Sequence, residues 1–126
     1  MSTINVQEIT NGSDTIDVAD VVDATAKAWA YVASNGSVLR SYNVSAVADG
    51  ISPAIYTVTF ATPMSTTNYV VVGSSKASTS GTDAVSSWFS VVSKTTGGFV
   101  YQVRTTSSGT LPGTGKDEEA YFVCYE

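Results

Sequence analysis

Histidine is absent from all 126 residues of this chain. Its absence removes the side chain that titrates nearest neutrality, and with it the Ser/His and Cys/His nucleophile pairs. Cysteine occurs once, at Cys124, so no disulfide can form within the chain and no paired-cysteine metal motif exists. Cys124 stands in an apolar stretch and reads as a small buried hydrophobe. Lysine and arginine total six and are scattered along the sequence. Binding nucleic acid requires a clustered basic face, so none is expected as a partner. No apolar run approaches the roughly 18 residues of a membrane helix, so membrane insertion is not expected. The opening MSTINVQEIT lacks the basic and apolar regions of a secretion signal. The chain is therefore expected to be made in a cytoplasm and to act outside a cell only after lysis or as part of a particle.

Charge is also scarce. Charged residues make up 13% of the chain, with a net charge of −5, against about 25% in an ordinary soluble domain. Serine, threonine, valine, alanine and glycine fill the remainder. That composition suits β-structure partly buried against other subunits. The length fits one domain, long enough to bury roughly two thirds of the unfolded chain's surface.

What is present is alternation. Trp29, Tyr31 and Ala33 alternate with Ala28, Ala30 and Val32. Asn35-Gly36 follows as a hairpin signal, because both residue types accept positive φ. Residues 38–47 read as one strand, closed by Asp49-Gly50 and Pro53. Tyr56, Val58 and Phe60 alternate with Ile55, Thr57 and Thr59. Residues 68–74 form a nearly continuous apolar run, expected as a central strand. Trp88, Ser90 and Val92 oppose Phe89 and Val91, and Gly97-Gly98 turns into Phe99, Tyr101 and Val103 opposing Val100, Gln102 and Arg104. Residues 120–125 form the last strand. Loops are expected at 78–84 and 105–117. About seven or eight short strands without a convincing helix predict an all-β fold, an antiparallel, jelly-roll-like β-sandwich. Trp29, Tyr42, Tyr56 and Phe60 fall on alternating positions and are expected in its core.

Residues 1–26 differ from the rest. They carry Glu8, Asp14, Asp17, Asp20 and Asp23 and no basic residue. Two short strands separated by Asn11-Gly12 are expected there. Asp14, Asp17, Asp20 and Asp23 recur every third residue, whereas a calcium loop needs a spacing of two and a glycine. The division expected is an arm over 1–26 and a β-sandwich knob over 27–126.

Four segments in order carry a resemblance: KAW at 27–29, SYNVSAV at 41–47, YTVTFATPM at 56–64 and NYVVVGS at 68–74. Together they resemble the C-terminal knob-like domain of tailed-phage tail fibres of the marine and cyanophage type. The match covers about residues 20–75 and is loose beyond Ala77, although the closing AYFVCYE is similar to the family's last strand. The resemblance implies a homotrimeric β-domain on the virion surface, with a host-surface glycan or envelope protein as partner. Only about 26 residues precede the knob here, too few for a fibre shaft. The arm is therefore expected to dock on another virion protein of tail, neck or capsid, through Ile4, Val6, Ile9, Asp17, Asp20 and Asp23. A capsid decoration protein that stabilises the head is the alternative.

No cofactor or metal is expected, and no enzymatic activity. A glycosidase needs two carboxylates flanking a sugar. The candidates Asp49, Asp83, Asp117, Glu118 and Glu119 fall in loops or at a strand edge, where solvated charge is ordinary. The candidate receptor- or partner-facing residues are Trp88, Tyr101, Asp83 and Lys116, on or near the expected loops. Sugar binding commonly sets an aromatic ring beside amides and hydroxyls, and Trp88 near a serine-rich loop fits that pattern.

Overall fold

The computed structural model describes residues 8–12, 14–17, 25–50, 54–76, 86–106, 114–115 and 118–126. Within them lie eleven strands and no helix: β1 (Glu8–Asn11), β2 (Asp14–Asp17), β3 (Ala28–Val32), β4 (Val38–Tyr42), β5 (Val44–Asp49), β6 (Ile55–Phe60), β7 (Val70–Ser75), β8 (Ser86–Thr95), β9 (Gly98–Thr106), β10 (Thr114–Gly115) and β11 (Ala120–Tyr125). β1 and β2 pair as a separate antiparallel hairpin turned at Gly12, which takes a φ of +67°. The remaining long strands form two antiparallel sheets, ordered β4-β3-β11-β7 and β5-β6-β9-β8. Short β10 extends the second sheet alongside β9. This is the expected antiparallel two-sheet sandwich, with eight long strands.

The β3–β4 hairpin follows from its turn residues. Gly36 N donates to Ala33 O (2.9 Å) and Ala33 N to Ser37 O (2.8 Å). Gly36 takes a φ of +80°, while Asn35 stays outside the positive region and accepts from Ser37 N through its side chain (3.0 Å). This is a type I turn followed by a glycine bulge, the usual three-residue hairpin loop, and not the turn with two positive φ values expected from Asn-Gly.

Residues 38–47 are two strands in different sheets, not one. Asn43 breaks them with a φ of +54°. Asparagine tolerates that conformation because its side chain bonds locally. Here Nδ2 donates to Lys27 O and Thr62 O (both 3.0 Å), and Oδ1 accepts from Thr62 N (2.7 Å). The corner carries the chain from β4 across the sandwich to β5. Alternation alone does not reveal such a corner, because polarity continues in phase on both sides of it.

The core lies between the sheets. From β6, β9 and β8 come Tyr56, Val58, Phe60, Phe99, Tyr101, Val103 and Phe89. Tyr56 stacks on Tyr101 (centroids 5.1 Å) and Tyr101 on Phe89 (4.8 Å). β3 and β11 answer with Ala28, Ala30, Val32, Ala120, Phe122 and Cys124. Phe122 meets Phe99 edge-on at 4.9 Å, and a side chain at Gly73 would overlap the Phe89 ring. Large groups from one sheet thus fill the space left by small groups of the other, which close packing demands. Each fully buried aromatic contributes about 1.5–3 kcal/mol through the water it leaves.

Two expectations fail here. Tyr56 and Phe60 are core, but Trp29 is 37% exposed and Tyr42 57% exposed. The inward phase of β3 is the small one, because the aromatic stack of the facing sheet has already taken the volume. β7 is an edge strand and not a central one, and its Val70 and Val72 face outward, 57% and 59% exposed.

Candidate functional site: two unlike outer faces

The outer face of the β4-β3-β11-β7 sheet is built by residues whose inward neighbours make the core. Its register aligns Tyr42, Trp29, Val123 and Val72 in one row, with Arg40, Tyr31, Tyr121 and Ser74 in the next. Tyr125 and Val70 continue it beyond the first row. Tyr31 and Tyr121 stack at 4.7 Å with planes 17° apart. A shallow depression of about 340 Å³ crosses the middle, lined by Trp29, Tyr31, Val72, Tyr121 and Val123 among others.

The Tyr31 hydroxyl is engaged at the margin of this face. Tyr31 Oη donates to Glu119 Oε2 at 2.7 Å, and Lys76 Nζ approaches Glu119 Oε1 at 3.4 Å. The hydrogen bond to Glu119, with lesser desolvation, pushes the Tyr31 phenol up to about 12. The same bond, with Lys76 adding to it, holds the Glu119 carboxyl below its ordinary value. Both shifts reflect one local contact at a solvent-facing position, so their weight in stability is small.

The opposite face, on the β5-β6-β9-β8 sheet, has another character. Thr57 and Thr59 are exposed on β6. Trp88 stands across from Arg104, and Ser90 across from Gln102. An indole, a guanidinium, an amide and a hydroxyl therefore share one sheet surface, each half-buried. A second shallow depression, of about 230 Å³, lies lower on this sheet against Thr57, Thr59, Ser93 and Val100.

A third hollow, of about 490 Å³, opens where the chain arrives from residue 24. Thr25, Lys27, Tyr42, Asn43 and Glu126 line it. Glu126 Oε1 accepts from Ser65 Oγ (2.6 Å) and Thr66 N (2.8 Å), and these bonds hold its carboxyl below the ordinary range.

The predicted positions fare unequally. Trp88 lies half-buried on the polar outer face. Tyr101, expected to face a partner, is fully buried beneath Phe89 and Tyr56. Its position on β9 is in phase with Phe99 and Val103, so it points to the core. Asp83 and Lys116 lie outside the described residues, as do Ile4, Val6, Asp20 and Asp23. Ile9 and Asp17 belong to the β1–β2 hairpin, paired with Ile16 and Glu8 respectively. The loop expected at 105–117 is narrower, because Thr105 and Thr106 continue β9 and Thr114–Gly115 pair back onto it. The loop expected at 78–84 lies outside the described residues. Cys124 is buried, and burial pushes its thiol up to about 12, far from thiolate chemistry. Asp49 is exposed at the end of β5, and Glu119 is engaged by Tyr31 and Lys76. Among the described residues no three of His, Cys, Asp and Glu converge as metal ligands.

Missed from sequence were Tyr31, Tyr121, Tyr125, Val70 and Val72 as a single surface. The signal was there: β3, β7 and β11 are apolar in both phases. Such a strand is either covered on both faces or covers itself with something else.

The chain matches no protein-family model, no curated protein and no solved structure.

Proposed function

We propose that this chain is a phage virion structural protein: a surface module that binds and does not react. In this reading it forms a homotrimer, is carried on the particle through residues 1–26, and serves adhesion to the host surface. The observation that carries the reading is the opposition of the two outer faces. One is apolar and suited to subunit packing. The other sets Trp88 beside Arg104, Gln102 and Ser90, a ring and polar groups of the kind that grip a glycan or the envelope protein bearing it. The ordered resemblance of residues 20–75 to tail-fibre knobs supports the same assignment. Individual contacts of this kind are weak, and many copies on one particle multiply them.

The test uses particles with and without the protein. Under the adhesion reading, particles lacking it adsorb poorly, and purified chain competes with adsorption of intact particles. Trp88→Ala should abolish that competition while leaving incorporation unchanged. If particles lacking the chain adsorb normally but burst on heating or osmotic shock, adhesion is wrong and the chain is a head decoration protein. Deletion of residues 1–22 should remove the chain from particles under either outcome. Retention after that deletion would refute docking by the arm.

A further inference from the structure

We infer that the outer face of the β4-β3-β11-β7 sheet is where copies of this chain pack against one another. The inference rests on the assembly reading above and assigns its subunit contact to one surface.

The area argues first. Trp29, Tyr42, Val70, Val72, Tyr121 and Tyr125 are 37–59% exposed. With aromatic side chains presenting 150–250 Å² each, these six leave roughly 600 Å² open to water. That is at the upper limit for the largest apolar patch of a monomer. It is also most of the ~800 Å² that each partner buries in a stable interface. The sandwich does not need this surface for its own fold, because the opposite phase of the same strands fills the core.

Charge argues second. The chain carries a net −5, so two copies repel wherever their acids meet. The described acids of the knob stay off its two central rows: Asp49 lies on β5 in the other sheet, while Glu118, Glu119 and Glu126 lie at the two ends of β11, with Glu119 bonded to Tyr31 and Lys76. Arg40 is the one charge in the two central rows, at the β4 edge. The centre of the contact is therefore free of like carboxylates, and an interface core depleted of charge is the pattern of homomeric contacts.

The middle of the face favours a second copy over a sugar. Sugar hydroxyls need partners, and along the row from Trp29 through Val123 to Val72 the only polar group is the Trp29 indole N–H, the hydroxyls of Tyr42, Tyr121 and Tyr125 and the Arg40 guanidinium lying around it. The Tyr31 hydroxyl is already given to Glu119.

The experiment is sedimentation equilibrium on the full chain from micromolar to near-millimolar concentration. The expected species is the homotrimer, at three times the 13.1 kDa of one chain. Val72→Asp should weaken association by about a hundredfold or more, since it buries an unpaired carboxylate in the contact. Thr57→Asp, on the opposite face, should leave the mass unchanged, and far-ultraviolet circular dichroism should show both variants folded. A wild-type monomer throughout, or a Val72→Asp chain that keeps its mass, overturns the inference. In a Trp88→Phe background, Trp29 fluorescence should become shielded from acrylamide as concentration rises. Shielding that is already complete in the monomer means that residues 1–24 of the same chain cover the face, and the inference fails. Failure of the adhesion test on particles would leave this result standing, so the two are separable.

Discussion

The two sheets spend their side chains in opposite directions. In β5-β6-β9-β8 every aromatic except Trp88 points inward, and threonine, serine and glutamine point outward with it. In β4-β3-β11-β7 alanine, cysteine and glycine take most of the inward places, and tryptophan and tyrosine point outward. Tyr56 and Tyr101 are wholly buried, while Trp29 and Tyr121 are 37% and 41% exposed. Hydrophobicity does not explain this difference, since tryptophan is at least as apolar as tyrosine. Volume does. A sandwich core is about 10 Å thick, and one sheet's aromatics fill it. The facing sheet must then be small on the inside, and its large residues become available for contacts beyond the chain.

The largest expected effect tests this division within one strand. Phe122 points inward on β11 and Tyr121 outward. Phe122→Ala should cost about 3–5 kcal/mol of unfolding free energy. Tyr121→Ala, measured where the chain is monomeric, should cost about 1 kcal/mol or less. Urea denaturation compares them, and equal costs would break the contrast. Next in size is Gly73→Ala on the edge strand β7. Its new Cβ would overlap the Phe89 ring, so overpacking should cost about 1–3 kcal/mol. A neutral result would mean that β7 and β8 slide freely, and that the small inner phase of the first sheet is not required.

How much of this was legible depends on each strand's two phases. In β6 one phase is Tyr56, Val58 and Phe60 and the other ends in Thr57 and Thr59, so polarity alone fixed which side faces in, and it did so correctly. β9 has the same polarity in Phe99, Tyr101 and Val103, yet Tyr101 was expected at a partner-facing surface and lies in the core. In β3 both phases are apolar, and ranking residues by size and hydrophobicity put Trp29 in the core. The true selector, the volume offered by the opposite sheet, is a tertiary quantity that no single strand encodes. The apolar run in β7 misled for a related reason: coverage of both faces was assumed to come from within the chain. The corner at Asn43 was hidden because its evidence is a set of hydrogen bonds to Lys27 and Thr62, remote in sequence.

Tyr101 gives a prediction of opposite sign. Its hydroxyl is buried and finds no hydrogen-bond partner among the described residues. Burial pushes the phenol well above its ordinary range, with the Asp49 charge adding to that. Because an unsatisfied buried hydroxyl costs about 1–3 kcal/mol, Tyr101→Phe should stabilise the chain by about 1 kcal/mol in urea denaturation. A loss of stability would mean that the hydroxyl has a partner and that this part of the core is not closed as described. On the outer face of the other sheet, Tyr31→Phe should instead destabilise slightly, because there the hydroxyl is bonded.

That last substitution also carries the smallest effect, a dependence on pH. The Tyr31 hydrogen bond holds the Glu119 carboxyl below its ordinary 4.5 in the folded chain. A depressed carboxyl contributes stability above its unfolded pKa, and that contribution disappears as pH falls through the folded value. The wild type should therefore exceed Tyr31→Phe in stability near neutrality, and the two should converge once Glu119 is protonated in both. Carbon-detected titration of the Glu119 carboxyl should show its pKa rising toward the ordinary value in the variant, while Lys76 still holds it partly down. An unchanged titration would mean that Lys76 alone sets the shift, and that the Tyr31 hydroxyl is free to serve a partner at the apolar face. The case against sugars at that face would then weaken, so this small measurement bears directly on which of the two outer faces would suit a glycan.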